Sequence, residues 1–232
     1  MSRENTDDQA ESLLRLYPFA RSQPNPLAHA LQTLIEEERM RRGTPEPLTG
    51  AYSRIALTQG SILNGEFDLS TMGHWESWPI GAVIVDLKET ILLNQRYGFQ
   101  ITDGALRAIG EALRARFRSG KLVRMHGDCF AVLLPPSSEV PMSESYATEI
   151  PALLTKAVLA SLPDDGEPPP GIAFTPALLQ LRIVNPPNAA ILGPLVYAEC
   201  ERAYVLQRTG GATGIQERRV DLQGSVQVPA GR

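Results

Sequence analysis

Two acids stand where this chain has the means to do chemistry. Asp86 closes the apolar run Ala82-Val83-Ile84-Val85, and Asp128 lies in the polar break His126-Gly127-Asp128, between Val123-Arg124-Met125 and Cys129-Phe130-Ala131-Val132-Leu133-Leu134. The first run reads as a buried central strand that delivers a carboxylate at its C-terminal end. The second reads as a hairpin from Lys121 to Leu134, with Gly127 supplying the permissive backbone and Asp128 exposed at the tip. If these strands are adjacent in one sheet, the two carboxylates are neighbours, and a close pair of carboxylates is what a divalent metal carrying nucleotide phosphates requires. An aspartate in a turn also caps its own backbone, which is the commoner role, and spacing alone does not separate the two.

Helices must hold such a sheet. Leu13, Leu14, Tyr17 and Ala20 mark a short amphipathic helix that stops before Pro24-Asn25-Pro26. Leu27, Leu31, Leu34 and Ile35 mark a second, running into Glu36-Glu37-Glu38-Arg39-Met40-Arg41-Arg42 and closing at Gly43; its charge run reads as a solvated face. From Thr44 to Trp78 the chain is rich in turn residues, with one helix near Ser53 to Gln59. The close of that segment gathers His74, Trp75 and Trp78, either as loop packing or as an exposed aromatic contact surface. A helix is expected from Asp103 through Ala105, Leu106, Ile109, Leu113 and Phe117. Another runs through Ile150, Leu153, Leu154, Ala157, Val158 and Leu162, with Pro151 in its first turn. A proline-rich surface loop (164–171), a strand from Ala177 to Val184, a helix from Tyr197 to Arg208 and a polar tail complete the chain. This order implies an α/β (α+β) layer structure, with helices packed on a mainly antiparallel sheet.

The 232 residues can bury a substantial core, and 43% apolar and 21% charged content is that of a globular protein. A formal charge of −4 gives no electrostatic reason to expect nucleic acid as a partner. Cys129 and Cys200 have neither the spacing of a zinc site nor that of a disulfide framework, which points to a reduced compartment. The N-terminus is polar and acidic, and no apolar run approaches the roughly 20 residues that cross a bilayer, so a cytoplasmic protein without membrane insertion is expected.

Four stretches resemble the GGDEF domain of diguanylate cyclases, which join two GTP molecules into cyclic di-GMP. Leu48-Thr49-Gly50-Ala51-Tyr52-Ser53-Arg54 looks like that family's LTGLxNR. Asp86 to Leu106 follows DxDxFKxxNDxxGHxxGDxxL without a gap, and the sequence HGDCF, His126 to Phe130, stands in place of the signature itself. Cys200-Glu201-Arg202-Ala203 through Arg208 is a faint ADxALYxAKxxG. The resemblance implies a nucleotidyl-cyclase palm-like domain over residues 46–215, an N-terminal helical extension over 1–45 and a flexible tail over 216–232. It places Asp86 and Asp128 at the metal positions, with Asp128 also at the catalytic acid. Asn94 and Asp103 fall at guanine-binding positions, and Arg208 at that of a phosphate-holding lysine. Magnesium would accompany a bound nucleotide.

The departures from the pattern are as informative. Cys129 replaces the second acid of the signature, and a neutral thiol is a poor magnesium ligand. His126 replaces a glycine whose bare backbone approaches phosphate, Lys88 the second acid of DxD, Ile91 a phosphate-binding lysine and Phe99 a histidine; Phe117-Arg118-Ser119-Gly120 lacks the RxxD of the inhibitory product site. Phosphoryl transfer depends on positioning and charge stabilisation, so the expectation is a catalytically inactive regulatory or protein-interaction module of bacterial signalling that retains part of a GTP site. Its partner would be a protein, met through the N-terminal helices or the Trp75/Trp78 loop, with a homodimer as one form. The alternative is a weak or partner-activated diguanylate cyclase.

Overall fold

The structure, a computed structural model, describes residues 12, 14–16, 25–63, 67, 77–136, 142–163, 172–184, 189–210 and 214–221. Helix α1 (Pro26–Arg41) begins with proline at its first position, where the missing N–H costs nothing, and Asn25 accepts from the Ala28 N–H at 3.2 Å. Strand β1 (Tyr52–Ser53) follows, then α2 (Arg54–Thr58), capped by the Ser53 hydroxyl on the Ala56 N–H at 3.1 Å. The chain continues through β2 (Ser77–Asp86), α3 (Thr90–Tyr97), α4 (Phe99–Arg116), β3 (Lys121–His126), β4 (Cys129–Leu134), α5 (Tyr146–Ser161), β5 (Ala177–Val184), α6 (Ala189–Arg208) and β6 (Ile215–Asp221).

The six strands form one sheet in the order β1-β3-β4-β2-β5-β6. β2 lies at the centre, antiparallel to both β4 and β5, while β1 and β6 join the edges parallel to β3 and β5. Alternation along the strands sorts the core into two layers. Ile80, Ala82 and Ile84 of β2 share one face with Ala131 and Leu133 of β4, covered by Ala56 and Leu57 of α2 and Val196 and Cys200 of α6. Val83 and Val85 share the other with Phe130, Val132 and Leu134, covered by Ile109 and Leu113 of α4 and Ile150 and Leu154 of α5. Fully burying one such side chain contributes roughly 1.5–3 kcal/mol, so these two layers hold the sheet's edges and crossovers in place. α6 approaches α2 so closely that a Cβ on Gly193 would lie 2.1 Å from the Leu57 carbonyl oxygen.

The fold is the expected α/β arrangement with a mainly antiparallel sheet, and the strands and hairpin stand where periodicity places them. Several local expectations are corrected. The tail expected from residue 216 is a strand as far as Asp221: β6 pairs along β5 from Leu178↔Ile215 to Val184↔Asp221 and buries Val220. Its polar alternation belongs to an edge strand with one dry face. A helix precedes the one expected from Asp103, because Gly98, at φ 79, divides α3 from α4. Pro151 lies within α5 rather than in its first turn, since the helix already begins at Tyr146. Trp78 is not an exposed contact residue. It has the parity of Ile80 and Ala82, is 0% exposed and packs edge-on against Phe67 at 6.5 Å. His74, Trp75 and the first N-terminal helix, apart from residues 12 and 14–16, lie outside the described residues. No helix among the described residues is long and apolar enough to cross a membrane.

Candidate functional site

The acid pair assembles because β2 and β4 are neighbours in register. Asp86 stands opposite Cys129, which puts the end of β2 beside the tip of the hairpin, and the Leu87 N–H donates to the Asp128 carbonyl oxygen at 3.3 Å. Gly127 takes φ 43 at the turn, and the Arg124 guanidinium donates 2.6 Å to the Gly127 carbonyl while also pairing with Glu46 at 2.9 Å. The hairpin is thus braced from the β1 side of the sheet.

Asp86 continues the parity of Ile80, Ala82 and Ile84, so its carboxylate points to the face covered by α6. There the Tyr204 hydroxyl donates to Asp86 Oδ2 at 2.9 Å, and Arg208 Nη1 donates to the Tyr204 oxygen at 2.7 Å. Burial pushes the Asp86 carboxyl above the usual range; the Tyr204 hydrogen bond opposes that rise and the charge of Asp128 adds to it. Tyr204 is itself pushed up to about 12, by burial and then by its bond to Asp86. On the opposite side the Thr90 hydroxyl contacts Asp128 Oδ2 and lies 2.9 Å from the Leu87 carbonyl oxygen. These groups line a cleft of about 540 Å³ that also carries Lys88, Glu89, Ile91 and His126. Glu89 turns the chain into α3 with φ 63, a left-handed conformation that costs a non-glycine residue roughly 1–2 kcal/mol.

The replaced signature residues are equally placed. His126 lines the cleft, edge-on to the Tyr204 ring at 5.7 Å, with Nε2 3.6 Å from Glu201 Oε1. Cys129 is 1% exposed and lies in the layer shared with Cys200; burial, then the charge of Asp86, pushes its thiol far up, and burial pushes Cys200 up to about 12. Ile91, in the place of a phosphate-binding lysine, is 71% exposed.

Asp86, Asp128 and Arg208 therefore meet in one cleft, while Asn94 and Asp103 sit on the adjoining helices α3 and α4 and are not among the residues lining it. Asn94 Oδ1 is buried with no partner among the described residues, and Asp103 is exposed. Sequence reasoning missed Tyr204 and Thr90. The signal for the first is its place one helical turn before Arg208, and for the second a threonine three residues after Leu87 at a strand-to-helix turn. A second cleft of about 540 Å³ lies at residues 117–120, where the product-site motif is missing. It carries Arg114, Arg118 and Lys121 and, among the described residues, no carboxylate.

Of the three carboxylates that line the cleft, Asp86 and Asp128 already accept hydrogen bonds from the chain, Lys88 stands beside them, and Glu89 does not complete a metal-holding group with them among the described residues. The third acid that would raise the site's affinity is a buried thiol. The residues as they stand do not fit the ion.

Residues 47–161 match the family described as diguanylate cyclase, GGDEF domain. Among solved structures, the chain is similar to the coiled coil and GGDEF domain of DgcB from Caulobacter crescentus in complex with c-di-GMP, at 17% identity over 82% of this chain and 93% of that one, with a TM-score of 0.47. The isolated GGDEF domain of the same protein gives 17% identity over 75% and 95%, with a TM-score of 0.48. Diguanylate cyclase SiaD from Pseudomonas aeruginosa, in complex with its activator SiaC, gives 15% over 92% and 76%, with a TM-score of 0.44. No curated protein matches the chain.

Proposed function

Since residues 47–161 belong to the GGDEF family of diguanylate cyclase-type domains, we propose that this chain is a catalytically inactive member that serves cyclic di-GMP signalling as a regulatory or protein-interaction module. The observation that carries the reading is Cys129. Where the signature has a second acid, this hairpin has a buried thiol held in its protonated form, so the tip offers the cleft a single carboxylate. Removing one electrostatic contact to a developing charge commonly costs on the order of a hundredfold, and here Ile91 and Lys88 add a lost cation and a lost anion.

The partner surface of this reading is α1. Leu27, Leu31, Leu34 and Ile35 are 36–59% exposed along one side of the helix, while Ala30 is fully buried. A stripe of that kind suits another helix, either a partner's or that of a second copy of the chain. Asn94 and Asp103 support guanine binding without turnover, as a secondary property of the same module.

Calorimetry with GTP, GDP and cyclic di-GMP tests the proposal. Heat with GTP that disappears in Asn94→Ala identifies a nucleotide sensor, and silence with all three ligands identifies a scaffold; in both cases GTP is recovered intact. Recovery of the GTP as cyclic di-GMP overturns the proposal and favours the partner-activated cyclase, in which Asp86 and Asp128 would hold the metal.

A further inference from the structure

The acid pair of this cleft is not open. The Thr90 hydroxyl lies between two oxygen acceptors, the Leu87 carbonyl and Asp128 Oδ2. With one proton it donates to the charged Asp128 Oδ2, the stronger acceptor, and faces the Leu87 carbonyl with its lone pairs, so it occupies a position that the surrounding oxygens would offer to a cation. Across the cleft the Tyr204 hydroxyl takes one oxygen of Asp86, and the Arg208 guanidinium, donating to the same phenol at 2.7 Å, strengthens that hydrogen bond by polarising it. Neither residue continues the family pattern: Thr90 stands at the phenylalanine of DxDxFK and Tyr204 at the leucine of ALY. The two donors come from α3 and α6, and the acids from the end of β2 and the hairpin tip, so four segments converge on two carboxylates.

We infer that Thr90 and Tyr204 form an internal lock on the acid pair, in which two hydroxyls take the place of a divalent cation and close the site to magnesium and manganese. Asp128 is held through Thr90, Asp86 through Tyr204, and the positive charge the pair needs is supplied by Arg208 behind the phenol and Lys88 in the cleft. A cation that takes the oxygens these hydroxyls engage, Asp86 Oδ2 and Asp128 Oδ2, displaces hydrogen bonds to charged groups, and each one weakens its binding by roughly tenfold or more. The lock concerns metal affinity and is read without nucleotide.

The test is a titration of the full chain with Mn2+ alone, followed by calorimetry and by the electron paramagnetic resonance of free Mn2+. The Thr90→Val/Tyr204→Phe variant should bind Mn2+ at least about tenfold more tightly than wild type. Adding Asp128→Asn should remove that gain, and Thr90→Ser, which restores the hydroxyl, should behave as wild type. Equal affinity of wild type and the double variant overturns the lock, as does a gain that survives Asp128→Asn. If the double variant does not fold, the wild-type melting temperature decides: a rise with Mn2+ that Asp128→Asn abolishes shows an open site and overturns the lock, whereas no change supports it. Cyclic di-GMP formed from GTP and lost in Asp128→Asn would overturn both the proposed inactivity and the lock, whereas equal Mn2+ affinity of wild type and the double variant overturns the lock alone.

Discussion

Asp86 carries a charge at the one position of β2 where the dry face ends, and its environment works against that charge. Burial raises its carboxyl above the usual range, so the folded state holds the Asp86 proton more tightly than the unfolded chain does. The stability tied to this proton is therefore present at low pH and is lost as pH rises from the ordinary carboxylate range through the raised value. Asp86→Asn removes the charge and keeps an oxygen for the Tyr204 hydroxyl. The variant should melt above wild type at neutral pH, with the gap closing as pH falls through the carboxylate range; a lower melting temperature at neutral pH would show that the charge is stabilising. At this scale the sequence reveals the two acids, because strand alternation and a glycine turn are local signals. It hides Tyr204 and Thr90, whose roles depend on which face of α6 and which end of α3 meet the cleft.

Elements show the same division. β2 and the hairpin are written in continuous apolar runs and appear where those runs stand, but β6 is not: Ile215 to Asp221 contains Gln216, Glu217, Arg218 and Arg219 and becomes a strand only by pairing with β5. Part of its attachment is a buried ion pair, Arg218 Nε to Glu199 Oε2 at 3.0 Å, with side chains only 10% and 9% exposed, and Arg218 Nη2 has no partner among the described residues. Glu199→Ala strands that guanidinium and should cost roughly 3–5 kcal/mol in chemical denaturation. Glu199→Leu/Arg218→Met, which removes both charges, should cost clearly less, and a double variant as unstable as the single would place the loss in packing. For α1 the opposite holds. Leu31 and Ile35 are 41% and 59% exposed, so Leu31→Glu/Ile35→Glu should change stability by no more than about 0.5 kcal/mol while abolishing association through this stripe, read by light scattering at matched concentration. Unchanged mass in a variant of an associating chain would move the docking surface elsewhere.

Across the whole molecule, the sheet order β1-β3-β4-β2-β5-β6 accounts for how the fold persists under the proposed loss of the reaction. The order needs only the apolar layers on both faces, and those are intact from Trp78 to Val220. Phosphoryl transfer needs more: charges fixed at the open end of β2 and β4, where this chain has a buried thiol, an exposed isoleucine and two carboxylates already engaged by its own hydroxyls. The measurement that reaches this claim most directly is the amount of cyclic di-GMP formed when the purified full chain is incubated with GTP and either Mg2+ or Mn2+. The account predicts no cyclic di-GMP and undiminished GTP, with wild type indistinguishable from Asp128→Ala. Cyclic di-GMP produced by wild type and lost in Asp128→Ala would contradict it.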